Sequence, residues 1–403
     1  MISGLLIQRF IHAGLLLSVM AFFAAPAGAL SVAADFPGGN IVVEEIAGDT
    51  VRLRQDRRDT EGWWFYWCFR VRGAAGRNIH FEFTDGEPVG VRGAAFSLDE
   101  GVTWAWLEEP FTASSFAYAF PEGADSVRFS FGMPYTRREL DAFLARHAGN
   151  PCLRADTLCD SRKGRNVERL HLGRPESEPR FRVLVTARSH ACEMMASYAV
   201  EGLMEAALAE GADGEWLRAH AEILVIPFVD KDGVEDGDQG KNRRPHDHNR
   251  DYGPEGIYPE TRALRAFVPE WSGGRLRVAM DLHCPWIRGG TNEYIYQVGS
   301  RSPENWGQQR RFAGMLEAAR KGPLPYHASK DLPFGEAWNK AENYSAGLSG
   351  ARWAGTLEGI TLATALEIPY ANAEGAEVNQ ETARAFGRDL AAALRNYLES
   401  LKE

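Results

Sequence analysis

The chain has 403 residues, 44% of them hydrophobic and 25% charged, with a formal net charge of −10. Such values belong to a globular protein with a sizeable core and room for two domains. No block dominated by lysine and arginine offsets the acidic balance, which excludes nucleic acid as an expected partner.

Residues 1–29 read as a signal peptide. Arg9 supplies a positive start, residues 13–25 an apolar run, and Ala27-Gly28-Ala29 a small-residue cleavage site. The run is too short to span a bilayer, and no cysteine follows the cleavage site to carry a lipid. The expected mature protein begins near Leu30, is exported to the periplasm or beyond, and keeps no stable membrane association. Five cysteines are an odd and sparse set for an exported chain. Cys152 and Cys159 bracket a short loop and form the best candidate pair. Cys68 reads as a buried thiol, and the pairing of Cys192 and Cys284 is left open.

Residues 30–148 read as an N-terminal antiparallel β-sandwich. Short aromatic runs at 63–71, 79–83, 95–107 and 127–133 are separated by turn-forming clusters of Gly, Asp, Asn and Pro. Trp63, Trp64, Trp67, Trp104 and Trp106 are expected to fill its core or its seam with the next domain, in preference to forming a carbohydrate-binding face. Residues 137–147 form a short amphipathic helix, and the loop after it marks the expected boundary.

From there to residue 403 the pattern changes to strands alternating with helices. Near-continuous apolar strands at 181–187, 221–229, 275–283 and 363–370 alternate with helical stretches at 260–267, 306–321 and 381–401. This predicts an α/β fold with a mainly parallel mixed sheet flanked by helices. Sites in such sheets form beyond the carboxyl ends of the strands, and His190, Asp230, His283 and Glu367 all fall there. His190 and Glu193 lie on one strand-to-helix turn, where an imidazole and a carboxylate can reach one divalent ion. With His283 as a third ligand, the set has the make-up of a catalytic zinc site with one position open. The segment 229–252, crowded with Asp, Gly, Asn and Arg, cannot be core. Its acidic half has the rhythm of a calcium loop without the terminal bidentate acid, and its basic half offers Lys241, Arg243, Arg244 and Arg250 to clamp a carboxylate or polarise a carbonyl.

Taken in order, these motifs resemble the zinc metallocarboxypeptidases, in the branch of the cytosolic carboxypeptidases and their bacterial relatives. The matching segments are His190-Ala191-Cys192-Glu193, Asp230-Lys231-Asp232-Gly233, Asp247-His248-Asn249-Arg250, the strand-end His283, and the strand around Glu367. A β-sandwich ahead of the catalytic domain also fits that branch. The resemblance implies one zinc ion per chain held by His190, Glu193 and His283, with Asp247 orienting a ligand histidine. It implies Asn249 and Arg250 on the substrate's terminal carboxylate, and Glu367 as general base and acid. Three departures stand out. Asp230 replaces the family's Asn. Gly240 stands where the family has the arginine that polarises the scissile carbonyl, so Arg243 is assigned that role, with Lys241 or Arg244 as alternatives. Tyr344 is the match, slightly out of register, for the family's mobile-loop tyrosine. Arg352, upstream of Glu367, matches an arginine that favours acidic C-terminal residues and is expected at the base of the side-chain pocket.

The expected function is therefore a zinc-dependent carboxypeptidase acting on peptide or protein C-termini, with a preference for acidic ones. A zinc amidohydrolase acting on cell-wall or other amides is the alternative enzyme. A non-catalytic binding protein that keeps the fold is the alternative of a different class.

Overall fold

The structure is a computed structural model that describes residues 29–174 and 178–401. The predicted signal peptide, apart from Ala29, lies outside the described residues.

Two sheets form the N-terminal part. One has the strand order Ser31–Ala33, Cys68–Arg72, Ser126–Ser130, Ala95–Ser97, Ala105–Trp106, and every pairing in it is antiparallel. The other runs Val42–Ala47, Thr50–Arg54, Asn78–Phe83, Ser115–Ala119. The inward rings of the two sheets meet, with Phe69 5.4 Å and Phe129 5.3 Å from Phe81. The sandwich is thus present, with one difference from an all-antiparallel reading: Thr50–Arg54 and Asn78–Phe83 pair in parallel. Between them the chain crosses to the first sheet through Cys68–Arg72 and returns, so the second strand re-enters in the same direction as the first.

The second part is built on a seven-stranded sheet ordered Leu153–Asp160, Asn166–Leu172, Ala221–Ile226, Phe181–Ala187, Leu276–His283, Leu362–Glu367, Tyr296–Val298. The pairings among the 181–187, 221–226, 276–283 and 362–367 strands are parallel, and those at the two margins antiparallel. Alternation along these strands sends side chains to opposite faces. Val183, Val185, Ile223, Val225, Val278, Leu282 and Leu366 join the helices Met194–Leu208 and Gln380–Glu399 in one core. Leu184, Leu224, Ile226, Leu276 and Ala279 face Leu264 and Val268 of the helix Pro259–Ser272 on the other side.

The last helix buries Ala383, Phe386, Leu390, Leu394 and Tyr397, a stripe at helical spacing, and starts at Asn379, whose side chain accepts from two backbone N–H groups. It presses on the 194–208 helix through glycines. A methyl group at Gly202 would overlap the Arg384 carbonyl, and one at Gly387 the Ala199 carbonyl.

The two parts share one continuous core. Phe131 and Tyr370 have ring centroids 4.6 Å apart, and Tyr135 and Tyr198 5.0 Å. The buried Gln239 bonds both backbone groups of Tyr66, at 2.6 and 2.8 Å. Trp67 is a core residue, whereas Trp104 and Trp106 bond to Gln380 and Val378 across the seam, as expected.

All five cysteines are free thiols. The pairing considered for Cys152 and Cys159 fails for a simple reason. The segment Leu153–Asp160 that joins them is an extended strand, not a loop, so their Cα atoms lie on the order of 20 Å apart, far beyond disulfide reach.

Candidate active site

His190, Glu193, His283 and Glu367 are all delivered by strand ends. The strand Phe181–Ala187 stops at Arg188, which takes a left-handed φ of 61° and turns the chain into the ligand segment. The guanidinium of Arg188, fully inside the protein, donates to the carbonyls of Tyr135 and Ala191 and to Ser197 Oγ, tying that turn to its surroundings. Glu193 then stands at the N-cap position of the helix Met194–Leu208, its side chain turned to the histidines and not to the helix backbone. His283 ends the strand Leu276–His283 and Glu367 ends its neighbour Leu362–Glu367, and the two are paired in register.

His190 Nδ1 lies 2.8 Å from Glu193 Oε1, and His283 Nδ1 2.7 Å from Glu193 Oε2. All three residues are buried, and one ligand atom from each lies within 4.8 Å of the others. The outer ring nitrogens face carboxylates: His283 Nε2 is 2.9 Å from Asp281 Oδ2 and His190 Nε2 3.6 Å from Asp247 Oδ1. Asp281 is itself held by Thr186 Oγ1 at 2.8 Å. Two imidazole nitrogens and one carboxylate oxygen, with carboxylates behind both rings, fit zinc. Sequence reasoning gave this role to Asp247; it placed Asp281 on the same strand face as His283 but assigned it no role. The signal was there, since alternation puts Asp281 and His283 on one face of a strand.

The electrostatics separate the carboxylates. Burial alone would raise Glu193, but the charges of His190, Lys241 and His283 overcome it and hold its carboxyl well below the usual range. Asp247 is likewise held low against its burial, mainly by His190. Glu367 goes the other way: burial, reinforced by the charge of Glu193, pushes it up to about 7. Its Oε2 is shielded from solvent and has no hydrogen-bond partner. A carboxyl poised near neutrality beside low-pKa neighbours is the arrangement of a proton-transfer group.

The basic residues sort differently from the expectation. Arg243 is not at the site. Its guanidinium is buried against Asp230 at 2.8 Å, Asp238 at 2.7 Å and Asp59 at 3.1 Å, so it neutralises a structural cluster of acids. Arg244 is exposed and pairs with Glu61. Lys241 is the cation that reaches in, with Nζ 3.3 Å from His190 Nδ1 and 3.5 Å from Glu193 Oε1. Gly240 explains how. With φ 75°, it lies against the backbone of Ala191, where no side chain fits, and this brings the next residue over the ligand turn. The acids of the calcium-like run are also committed: Asp232 to Arg165, Asp236 to Arg165 and Lys163, and Asp238 to Arg58. Asp230 caps the helix Lys231–Asp236.

His190, Asp247, His283 and Glu367 open onto a cavity of about 910 Å³, whose walls include Asn249, Arg250, Tyr344 and Arg352. Asn249 Nδ2 is 3.4 Å from His283 Nε2, and its Oδ1 accepts from Gly350 N at 3.0 Å. Arg250 donates to the carbonyls of Asn249 and Asn343 and lies 5.5 Å from the Tyr344 ring. Arg352 lies over the same ring at 4.8 Å. The site residues expected from the sequence therefore converge, except Arg243. Arg352 differs in one respect: it stands exposed on the cavity wall, because the short helix Gly350–Ala354 turns Trp353 into the core and leaves Arg352 facing out.

The sequence pattern of the zinc carboxypeptidase family matches residues 141–258, a span that contains His190, Glu193, Asp247, Asn249 and Arg250. Over that span the chain is similar to a zinc carboxypeptidase domain. Cytosolic carboxypeptidase 2 of Macaca fascicularis is 29% identical over 249 residues, which make up 58% of this chain and 28% of that protein. The human protein of the same name is 29% identical over 154 residues, 36% of this chain and 17% of that one. The chain thus spans less than a third of the length of these curated relatives. Among solved structures, a metallo-carboxypeptidase from Burkholderia cenocepacia superposes with a TM-score of 0.75 at 23% identity, covering 92% of this chain and 99% of that one. A metallo-carboxypeptidase from Pseudomonas aeruginosa gives 0.72 at 21% identity, covering 92% and 100%. Both superpositions extend the likeness beyond the matched span, so the carboxypeptidase fold here includes the strands that end in His283 and Glu367.

Proposed function

We propose that this chain is an exported, zinc-dependent carboxypeptidase that hydrolyses the C-terminal peptide bond of peptides or proteins, with a preference for acidic terminal residues. The observation that carries the reading is Glu367: a buried carboxyl with an unpartnered oxygen, raised toward neutrality and set in register beside His283.

In this reading His190, Glu193 and His283 hold zinc, which supplies Lewis-acid polarisation and acidifies water. Glu367 Oε2 takes the proton from the attacking water and returns it to the leaving amine. The Lys241 ammonium stands over the ligand turn, where negative charge develops on the carbonyl oxygen. Asn249 and Arg250 receive the terminal carboxylate, Arg250 as a planar fork suited to it. Tyr344 and Arg352 border the space for the terminal side chain, and the Arg352 charge supports the acidic preference. The amino-terminal leader pattern supports export.

The test is release of C-terminal residues from a mixed peptide library by the zinc-loaded protein, beside chelator-treated protein and Glu367→Gln. Release of single residues, enriched in Glu and Asp and lost in both controls, is expected. Zinc bound at one equivalent without release of any residue would overturn the peptidase reading in favour of a zinc amidohydrolase.

A further inference from the structure

The cavity has an aromatic end that the chemistry above does not use. Trp286 lies just beyond His283 on the chain and keeps 39% of its surface exposed, one of few large apolar side chains left so open among the described residues. Behind it stand Trp63 and Trp64 of the N-terminal sandwich, with ring centroids at 5.5 and 4.8 Å, and Phe65 at 5.1 Å. Trp64 and Trp286 both line the cavity that holds the metal-binding residues. An exposed, braced aromatic surface inside a cleft costs solvation and marks a binding surface.

The contacts place this wall at one end of an ordered path. The Trp64 ring lies 5.5 Å from Lys241 Nζ, and Lys241 reaches His190 and Glu193. Glu193 bonds His283, and His283 meets Asn249. Beyond Asn249 come Arg250 and then Tyr344, with Arg352 over the same ring. The proposed carboxylate clamp and the aromatic wall are thus separated by the metal-binding residues. A peptide whose terminal carboxylate is held by Asn249 and Arg250, and whose scissile carbonyl is beside Lys241, must leave the centre past Trp64 and Trp286.

We propose that Trp64 and Trp286 form one aromatic subsite that receives the side chain on the N-terminal side of the scissile bond and selects aromatic residues there. The inference rests on the carboxypeptidase reading. It gives the sandwich a direct part in substrate choice, since Trp64 belongs to that domain and Gln239 fastens the loop carrying Lys241 to the neighbouring Tyr66. An aromatic ring packed against two indoles, one of them beside a cation, gains stacking area that a small side chain cannot reach.

The experiment measures the binding of N-acetylated Phe-Xaa and Ala-Xaa dipeptides, with Xaa as Glu or Leu, to zinc-loaded Glu367→Gln protein by calorimetry. The same titrations are run in the Trp286→Ala and Arg250→Met backgrounds. The Phe peptides are expected to bind about tenfold tighter than the Ala peptides. Trp286→Ala, a change at an exposed ring, should reduce that ratio to about threefold or less while leaving Ala-peptide affinity in place. Equal affinity for Phe and Ala peptides, or equal weakening of both by Trp286→Ala, would overturn the subsite while Arg250-dependent binding still upholds the carboxypeptidase reading. If no peptide binds and Arg250→Met changes nothing, the reading itself falls and takes the subsite with it.

Discussion

His283 and Glu367 are register partners at the ends of adjacent parallel strands. The hydrogen-bonded ladder therefore fixes the spacing between the nitrogen proposed to bind metal and the carboxyl proposed to carry the proton, and no loop intervenes. Replacing Glu367 by Gln keeps the shape and removes the proton carrier. Turnover should fall by about 10²–10⁴-fold with zinc stoichiometry unchanged, measured by single-residue release and metal analysis. Thermal stability should hold or rise, because a buried carboxyl without a partner for Oε2 is replaced by a neutral amide.

Asp281 orients His283 and is anchored by Thr186. Asp281→Ala should weaken zinc affinity by about 10–100-fold, read by competition with a chelator of known affinity, in a protein that stays folded. Unchanged affinity would show that His283 needs no backing.

Lys241 and Arg243 should separate cleanly. Arg243→Met leaves Asp230 buried without its arginine and should cost about 3–5 kcal/mol of stability in urea unfolding. Lys241→Met should lower kcat by about 10²-fold or more with little change in unfolding midpoint. The reverse pattern would return the carbonyl-polarising role to Arg243.

Arg352 is exposed and makes its ring contact with Tyr344, so its replacement should spare the fold. Arg352→Glu should shift release from acidic toward basic terminal residues, by about tenfold in kcat/KM ratio, on a library of peptides differing only at the last position.

A pH effect on stability should arise away from the metal-binding residues. Burial raises Asp331 from its ordinary 3.8 to about 6, although Gln297 and Tyr326 donate to it. The folded state thus holds this proton to a higher pH than the unfolded chain. Its contribution is complete below about pH 4 and is lost, by on the order of 3 kcal/mol, as pH rises through 6. Asp331→Asn should flatten urea-unfolding stability across that window.

The sequence carried much of the site because its chemistry is local in the chain. His190 with Glu193, and Asp247 with Asn249 and Arg250, are short motifs, and His283 and Glu367 are strand ends that near-continuous apolar runs reveal. Arg243 could not be placed the same way. Neighbours along an irregular loop point in unrelated directions, and only the packing of Gly240 on Ala191 shows that Lys241 faces in while Arg243 turns to Asp230 and Asp238. The parallel pair in the sandwich and the place of Trp64 in the cavity wall were equally illegible, since both depend on which distant segments meet. Cys152 and Cys159 misled because a seven-residue separation reads alike whether the chain between them loops or extends.

The shared core sets the unit of folding. Phe65, Phe131 and Tyr135 from one part and Tyr198 and Tyr370 from the other lie in a single apolar mass. Neither part can melt without baring the other's rings to water, so heat should take the whole molecule through one cooperative transition. Evolution of this cleft is bound by the same fact: an amino-terminal part exchanged for a foreign one would have to bring matching aromatic knobs, or the larger part would be left with bared rings and without its wall.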